Sequence, residues 1–283
     1  MTRELPAHIA AALGGNRTDS AGRAWAGRDL SGPDNPLHAF DDDDGAADAG
    51  LTHALEGLRA PTDQPGPGER AVFGALATAR VFIPIVAEVS RHARTDTGLQ
   101  SDKEADMSLV TLSAPDGRKA LPVFSSTPAL QRWHPEARPV AVYAARAALA
   151  AASESAELLV LDPGAALTFV LRRPAVWALA QQRAWTPSYE DAGLAELIGA
   201  TARTLPDVVS VGLRPAAGVV TRTADGSIAG GGGPGPELRL DLRLRAGLTP
   251  DAVRNTVSSL RAKLLALPDV VERVDSLDIK LLR

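Results

Sequence analysis

The sequence predicts an α+β fold, and three features carry that expectation. Short runs of aliphatic and β-branched residues are interleaved with alanine-rich, helix-favouring stretches over residues 71–183. Two strong turn signals, Ala114-Pro115-Asp116-Gly117 and Asp162-Pro163-Gly164, each lie between apolar runs. One later segment, ELRLDLRLR (237–245), alternates strictly between leucine and charge, as a strand with one buried face does. The expected architecture is a mixed-sheet domain followed by a smaller ferredoxin-like α-β-β-α-β unit. Three segments follow: an acidic arm and linker (1–70), the mixed-sheet domain (71–185) and a C-terminal α+β unit (188–283).

The arm is rich in Gly, Pro, Asp and Ala, with scattered apolar positions. It holds 12 acidic and six basic residues, whereas the whole chain has a net charge of −4. Glu4 to Leu13 is expected to form a short helix closed by Gly14-Gly15, and Leu51 to Leu58 another. PTDQPGPGE (61–69) reads as a linker. Trp25, Arg28, Leu30, Leu37 and Phe40 are the arm's candidates for docking onto another surface.

In the mixed-sheet domain a helix near Val72–Ala79 leads into the apolar run VFIPIVA (81–87). A charged loop, Glu88 to Asp106, precedes a hairpin of MSLVTL (107–112) and RKALPVF (118–124) about the Pro-Asp-Gly turn. Thr127-Pro128 is expected to open a helix through Trp133, with Thr127 as its cap and proline at its first position. A strand at 139–142 precedes an alanine-rich helix, Ala144–Ser153. ELLVLDPGAALTFVL (157–171) reads as two strands about a turn, and Pro174 to Arg183 as a helix.

In the C-terminal unit, Ser188-Tyr189-Glu190-Asp191 resembles a capping arrangement for a helix whose inner face carries Leu194, Leu197, Ile198 and Leu205. Thr249-Pro250 starts another, with Val253, Val257, Leu260 and Leu264 inward. LPDVV occurs at 205–209 and again at 267–271, each copy expected to follow a helix and precede a strand. Glu237, Arg239, Asp241, Arg243 and Arg245 are expected on a solvated sheet face, and GGGGPG (230–235) in a flexible hairpin loop.

Composition limits the chemistry. The chain has 283 residues, of which 45% are hydrophobic and 23% charged, enough for a sizeable core in one or two domains. It contains no cysteine, which excludes disulfides, thiolate metal sites and cysteine nucleophiles. No uncharged stretch reaches the roughly 20 residues of a spanning helix, and the N-terminal run lacks the form of a signal peptide. The expectation is a cytoplasmic protein that neither enters membranes nor, lacking a basic platform, binds nucleic acid.

Specific motifs mostly fail. No lysine follows a glycine, so there is no P-loop, and the 230–235 glycines precede a strand rather than a helix. DDDDG (41–45) does not fit an EF-hand register; a loose divalent-ion site from Asp42, Asp44 and His38 remains, against a plain solvated acidic turn. No histidine pair has zinc-protease spacing, and no serine sits in a nucleophile elbow. His134 reads as a helix C-terminal cap, Asp162 as a turn former, and the charged face of 237–245 as solvated sheet. No cofactor is expected.

The segments EADMSLVTLSAPDGRKALPVFSS (104–126), Trp133, PEARPVAV (135–142) and LVLDPG (159–164) resemble the SseB family, named for enhanced serine sensitivity. GRAWAGRDL (22–30) and AFDDDDGAADAGLTHAL (39–55) resemble the leaders of its actinobacterial members. The resemblance spans about residues 15–183. It implies a cytosolic SseB-like α+β domain without a catalytic mechanism to carry over, with Asp106, Lys119, Leu121, Phe124, Trp133, Asp162 and Gly164 at its signature positions. Asp106 and Lys119 are expected to pair across the hairpin. Together with His134 and the arm residues Trp25, Arg28 and Phe40, these residues are the candidate binding surface. The leading expectation is a non-catalytic, protein-binding or regulatory protein with a protein partner. The alternatives are a small-ligand (amino-acid) sensor acting through the C-terminal unit, and an enzyme using Asp106, Lys119, His134 or Asp162.

Overall fold

The computed structural model describes residues 39–59, 67–89 and 105–282. The chain divides into two units, 1–43 and 44–283. The described part of the first is a turn closed by the Asp43 N–H on the Phe40 carbonyl at 3.1 Å. Phe40 is half-buried there and Asp42 is exposed. Trp25, Arg28, His38 and the helix expected over 4–13 lie outside the described residues.

The second unit begins inside the segment expected to be an arm. Helix α1 (Ala49–Gly57) is capped by Asp48, whose carboxylate accepts from the Leu51 N–H at 2.8 Å. Helix α2 (Pro67–Leu76) follows. Leu51, Leu58 and Val72 are at most 2% exposed. Burying such side chains stabilises by roughly 1.5–3 kcal/mol each, enough to hold these helices on the domain despite their polar surroundings. The boundary expected at residue 70 therefore falls within α2.

Two sheets form the first lobe. Strands β1 (Arg80–Val89), β2 (Ala105–Leu109) and β5 (Arg138–Tyr143) make an antiparallel sheet in the order β2-β1-β5. Strands β3 (Leu112–Ser113), β4 (Lys119–Val123), β6 (Leu158–Leu161) and β7 (Phe169–Leu171) make a mixed sheet in that order. The expected 107–124 hairpin is thus divided between the sheets. Its turn at 114–117 is present, but β2 pairs with β1, and only Leu112 and Ser113 pair with β4. Asp106 lies opposite Glu88 and Lys119 opposite Ser113, so the two do not pair across a hairpin.

Helix α3 (Thr127–Trp133) starts one residue earlier than its sequence signal suggests: Ser126, not Thr127, is the cap, with its hydroxyl accepting from the Ala129 N–H at 3.2 Å. Helix α4 (Ala144–Ser153) buries five alanines, small enough to let it lie close to helix α5 (Arg173–Ala180). The core of this lobe joins Leu51, Phe73, Leu121, Ala147, Phe169 and Val176.

In the second lobe, Asp191 caps helix α6 (Ala192–Arg203), and Ser188–Glu190 is a separate 3₁₀ turn rather than the cap. Strands β8 (Val208–Pro215), β11 (Leu238–Leu244) and β12 (Leu277–Leu282) form a sheet ordered β12-β11-β8. Helix α7 (Pro250–Leu265) packs with α6 over Leu238, Leu240 and Leu242. The expected order helix, strand, strand, helix, strand is present. However, β11 and β12 pair directly in parallel, whereas a ferredoxin-like split βαβ leaves a strand between them. The second LPDVV copy forms a short helix, α8 (Pro268–Arg273), before β12.

Between β8 and β11 lies a hairpin of β9 (Val220–Arg222) and β10 (Ile228–Gly230), followed by the glycine run. That run is not a flexible loop. Gly231, Gly232 and Gly233 are buried against the first lobe, and the Gly232 carbonyl accepts from the Val170 N–H at 2.7 Å. A Cβ on Gly232 would lie 2.1 Å from the Phe169 ring. The glycines let two backbones and a ring meet where no side chain fits.

Candidate functional site

Parallel pairing of β4 with β6 sets their carboxyl ends side by side, where open α/β sheets commonly form crevices. Ser125 follows β4 and Asp162 follows β6. The Ser125 N–H donates to the Asp162 carboxylate at 2.8 Å. Helix α3 then brings Ala129, Arg132 and Trp133 to the same end, while α1 contributes Thr52, Leu55 and Glu56, and the turn after it Arg59, from the opposite side. The resulting open cleft has a volume of about 730 Å³, within the roughly 300–1,000 Å³ usual for ligand sites.

Each wall has a physical basis. Asp162 is 7% exposed and holds φ +51°, a left-handed conformation that aspartate tolerates in a turn. The turn is fixed by the Ala165 N–H and the Thr168 hydroxyl, both donating to the Asp162 carbonyl at 3.1 Å. Gly164, at φ +77°, passes beside Trp133, from which an added Cβ would stand 3.7 Å away. Trp133 is half-buried and tilts against Phe124, with ring centroids 5.2 Å apart. Phe124 is fully buried and supports the cleft from below rather than lining it. His134 ends α3, its N–H donating to the Leu130 carbonyl at 2.8 Å; its Nδ1 is buried with no hydrogen-bond partner among the described residues.

Burial pushes the Asp162 carboxyl above the usual carboxylate range, opposed by hydrogen bonds from Ser125 and by the nearby Arg132 charge. An acid whose folded pKa is raised adds no penalty below its unfolded value, and destabilises progressively as pH rises from there to the folded value. Asp162→Asn retains an oxygen for the Ser125 N–H. Its stability relative to the parent is therefore expected to rise from about pH 4 upward and then level off, as read by urea unfolding at stepped pH.

The structure gathers Phe124, Trp133, His134 and Asp162 at one end of the first lobe. It does not bring Lys119 there. Lys119 lies at the far end of β4, five positions back in register, roughly 16 Å away at about 3.3 Å per residue. Its ammonium donates to the Glu154 carbonyl at 3.0 Å. Asp106 sits in the other sheet. Asp106, Lys119, His134 and Asp162 thus form no common acid–base constellation, which would require hydrogen-bond reach. Among the described residues no group of three His, Asp or Glu is gathered to hold a metal, and the Asp44 carboxylate accepts from the Ala46 N–H at 2.8 Å.

Sequence reading missed the α1 wall. Thr52, Glu56 and Arg59 recur at helical spacing after the Asp48 cap, and that pattern was the available signal. It also missed a buried ionic cluster between the lobes. The Glu69 carboxylate accepts from the Gly232 N–H at 2.6 Å, the Tyr189 hydroxyl at 2.6 Å and Arg172 Nη1 at 3.2 Å. Arg172 Nη2 donates to the Gly218 and Gly233 carbonyls at 2.6 Å each. Burial and the adjacent Glu69 carboxylate push the Tyr189 phenol upward. Glu237, expected in solvent, is 1% exposed instead, and burial raises its pKa. It accepts from the Asp275 N–H at 3.0 Å and the Ser188 N–H at 3.4 Å. Glu69, Arg172 and Tyr189 are consumed in joining the lobes, and Glu237 in tying together the backbone of the second.

The fold and the cleft define an α+β domain with a preformed hollow at the carboxyl ends of two parallel strands. Residues 51–178 match the family model described as the SseB protein N-terminal domain, so this stretch of the chain is a domain of that family. No curated protein and no solved structure matches the chain at a significant level. No helix among the described residues is long and apolar enough to cross a membrane.

Proposed function

We propose that this chain is a non-catalytic regulatory protein of the SseB family that binds a partner protein through the cleft between α1, α3 and the Asp162 turn. The observation that carries the reading is the composition of that cleft. It combines an aromatic and aliphatic lining with polar groups contributed by both walls, the pattern of a recognition groove. Asp162 is tied to a backbone N–H and packed beneath the turn, which suits a structural role better than proton transfer. The reading places the protein in the cytoplasm, in keeping with its lack of cysteine.

The test is site-specific photo-crosslinking in the native host. Benzoylphenylalanine replaces Thr52 on the exposed rim of the cleft or, as a control, Arg243 on the outer face of the C-terminal sheet. A discrete protein adduct is expected at position 52 and not at 243. Adducts at 243 alone, or none at either position, would reject the cleft as the binding site.

A further inference from the structure

We propose that the cleft is selective for an acidic linear segment, with an apolar side chain seated against Trp133 and carboxylates at Arg59 and Arg132. This rests on the binding role proposed above and names what that role recognises.

Two guanidiniums line the cleft from different elements, Arg59 just past the C-terminus of α1 and Arg132 at the end of α3. Both are exposed, and neither has a hydrogen bond or ion pair among the described residues. Arg118, Arg172 and Arg239, by contrast, are paired with carboxylates. The acids near the cleft do not answer the two free guanidiniums equally. Asp162 is buried and committed to the Ser125 N–H. Asp225, which acts on Arg59 electrostatically, is itself held by Thr223 and by the Ser227 N–H. Glu56 is exposed one turn before Arg59 and is the solvent-exposed acid on the walls that opposes an anionic guest.

The shape points to a segment rather than a small anion. A lone anion would leave Leu55, Trp133 and Leu167 in water, whereas an apolar side chain between two acids would cover them. A nucleic acid is disfavoured because its many phosphates would meet a chain of net charge −4.

The experiment is selection of a random displayed octapeptide library on the immobilised full-length chain, followed by fluorescence anisotropy of the most enriched peptide. Enriched sequences are expected to carry Asp or Glu on either side of an apolar residue. The Arg59→Gln/Arg132→Gln double variant should bind about tenfold more weakly, Glu56→Gln a few-fold more tightly, and added salt should weaken the parent. All three positions are exposed, so the variants keep the fold. Enrichment of neutral or basic peptides, or equal binding by the double variant, overturns the acidic specificity and leaves the binding role standing. No enrichment of any peptide removes both.

Discussion

Arg172→Met should destabilise the protein by roughly 3–5 kcal/mol, the usual result of removing one partner from a buried ion pair. The side chains of Arg172 and Glu69 are 5% and 2% exposed. Without the guanidinium, the Glu69 carboxylate keeps its contacts with Gly232 and Tyr189 but loses its counter-charge, and the carbonyls of Gly218 and Gly233 lose their donor. Lysine is not expected to rescue, because one ammonium cannot reproduce the fork that spans a carboxylate and two carbonyls. Glu69→Gln together with Arg172→Met should recover part of the loss, since the amide still accepts from Gly232 without burying a charge. Urea unfolding midpoints decide the matter. A loss below about 1 kcal/mol in Arg172→Met would mean that the cluster is open to water.

Gly218→Ala is the second large effect. Its Cβ would lie 2.3 Å from the Gly235 carbonyl carbon and 2.4 Å from the Pro236 oxygen, both backbone atoms that no rotamer change can move. The two chain segments must separate, which should cost at least the roughly 1–3 kcal/mol of core overpacking. Gly212→Ala in β8 is the control: nothing lies within 4 Å of the added methyl, and the loss of unfolded-state freedom should make it neutral or stabilising by up to about 1 kcal/mol. Thermal unfolding separates the two, with about 2–4 °C expected per kcal/mol in a protein of this size. Similar melting temperatures for both variants would show that the glycine seam is loose.

Much of the fold was legible because local signals were strong. The Ala144–Ser153 helix, the leucine face of β11 and the Asp162-Pro163-Gly164 turn appear as their patterns require. What was not legible depended on long-range contacts. Glu69 and Glu237 look like surface acids in sequence, and only the approach of Arg172 and of the Asp275 backbone explains their burial. The glycine run looks flexible until Phe169 and Val220 are placed against it. The division of 107–124 between two sheets follows from β1 offering β2 a longer edge than β4 does. Trp133 and Asp162 stood among the binding-surface candidates in sequence, but Arg59 and Glu56 did not, because α1 was taken for part of an arm.

The most direct test of the binding role is amide hydrogen exchange on the full-length chain, with and without the segment recovered by selection. Slowed exchange is expected in residues 52–59, 125–133 and 162–167, which enclose the cleft, with little change in β8, β11 and β12. Protection confined to residues 188–282, with the cleft unchanged, would contradict the account and move recognition to the C-terminal lobe.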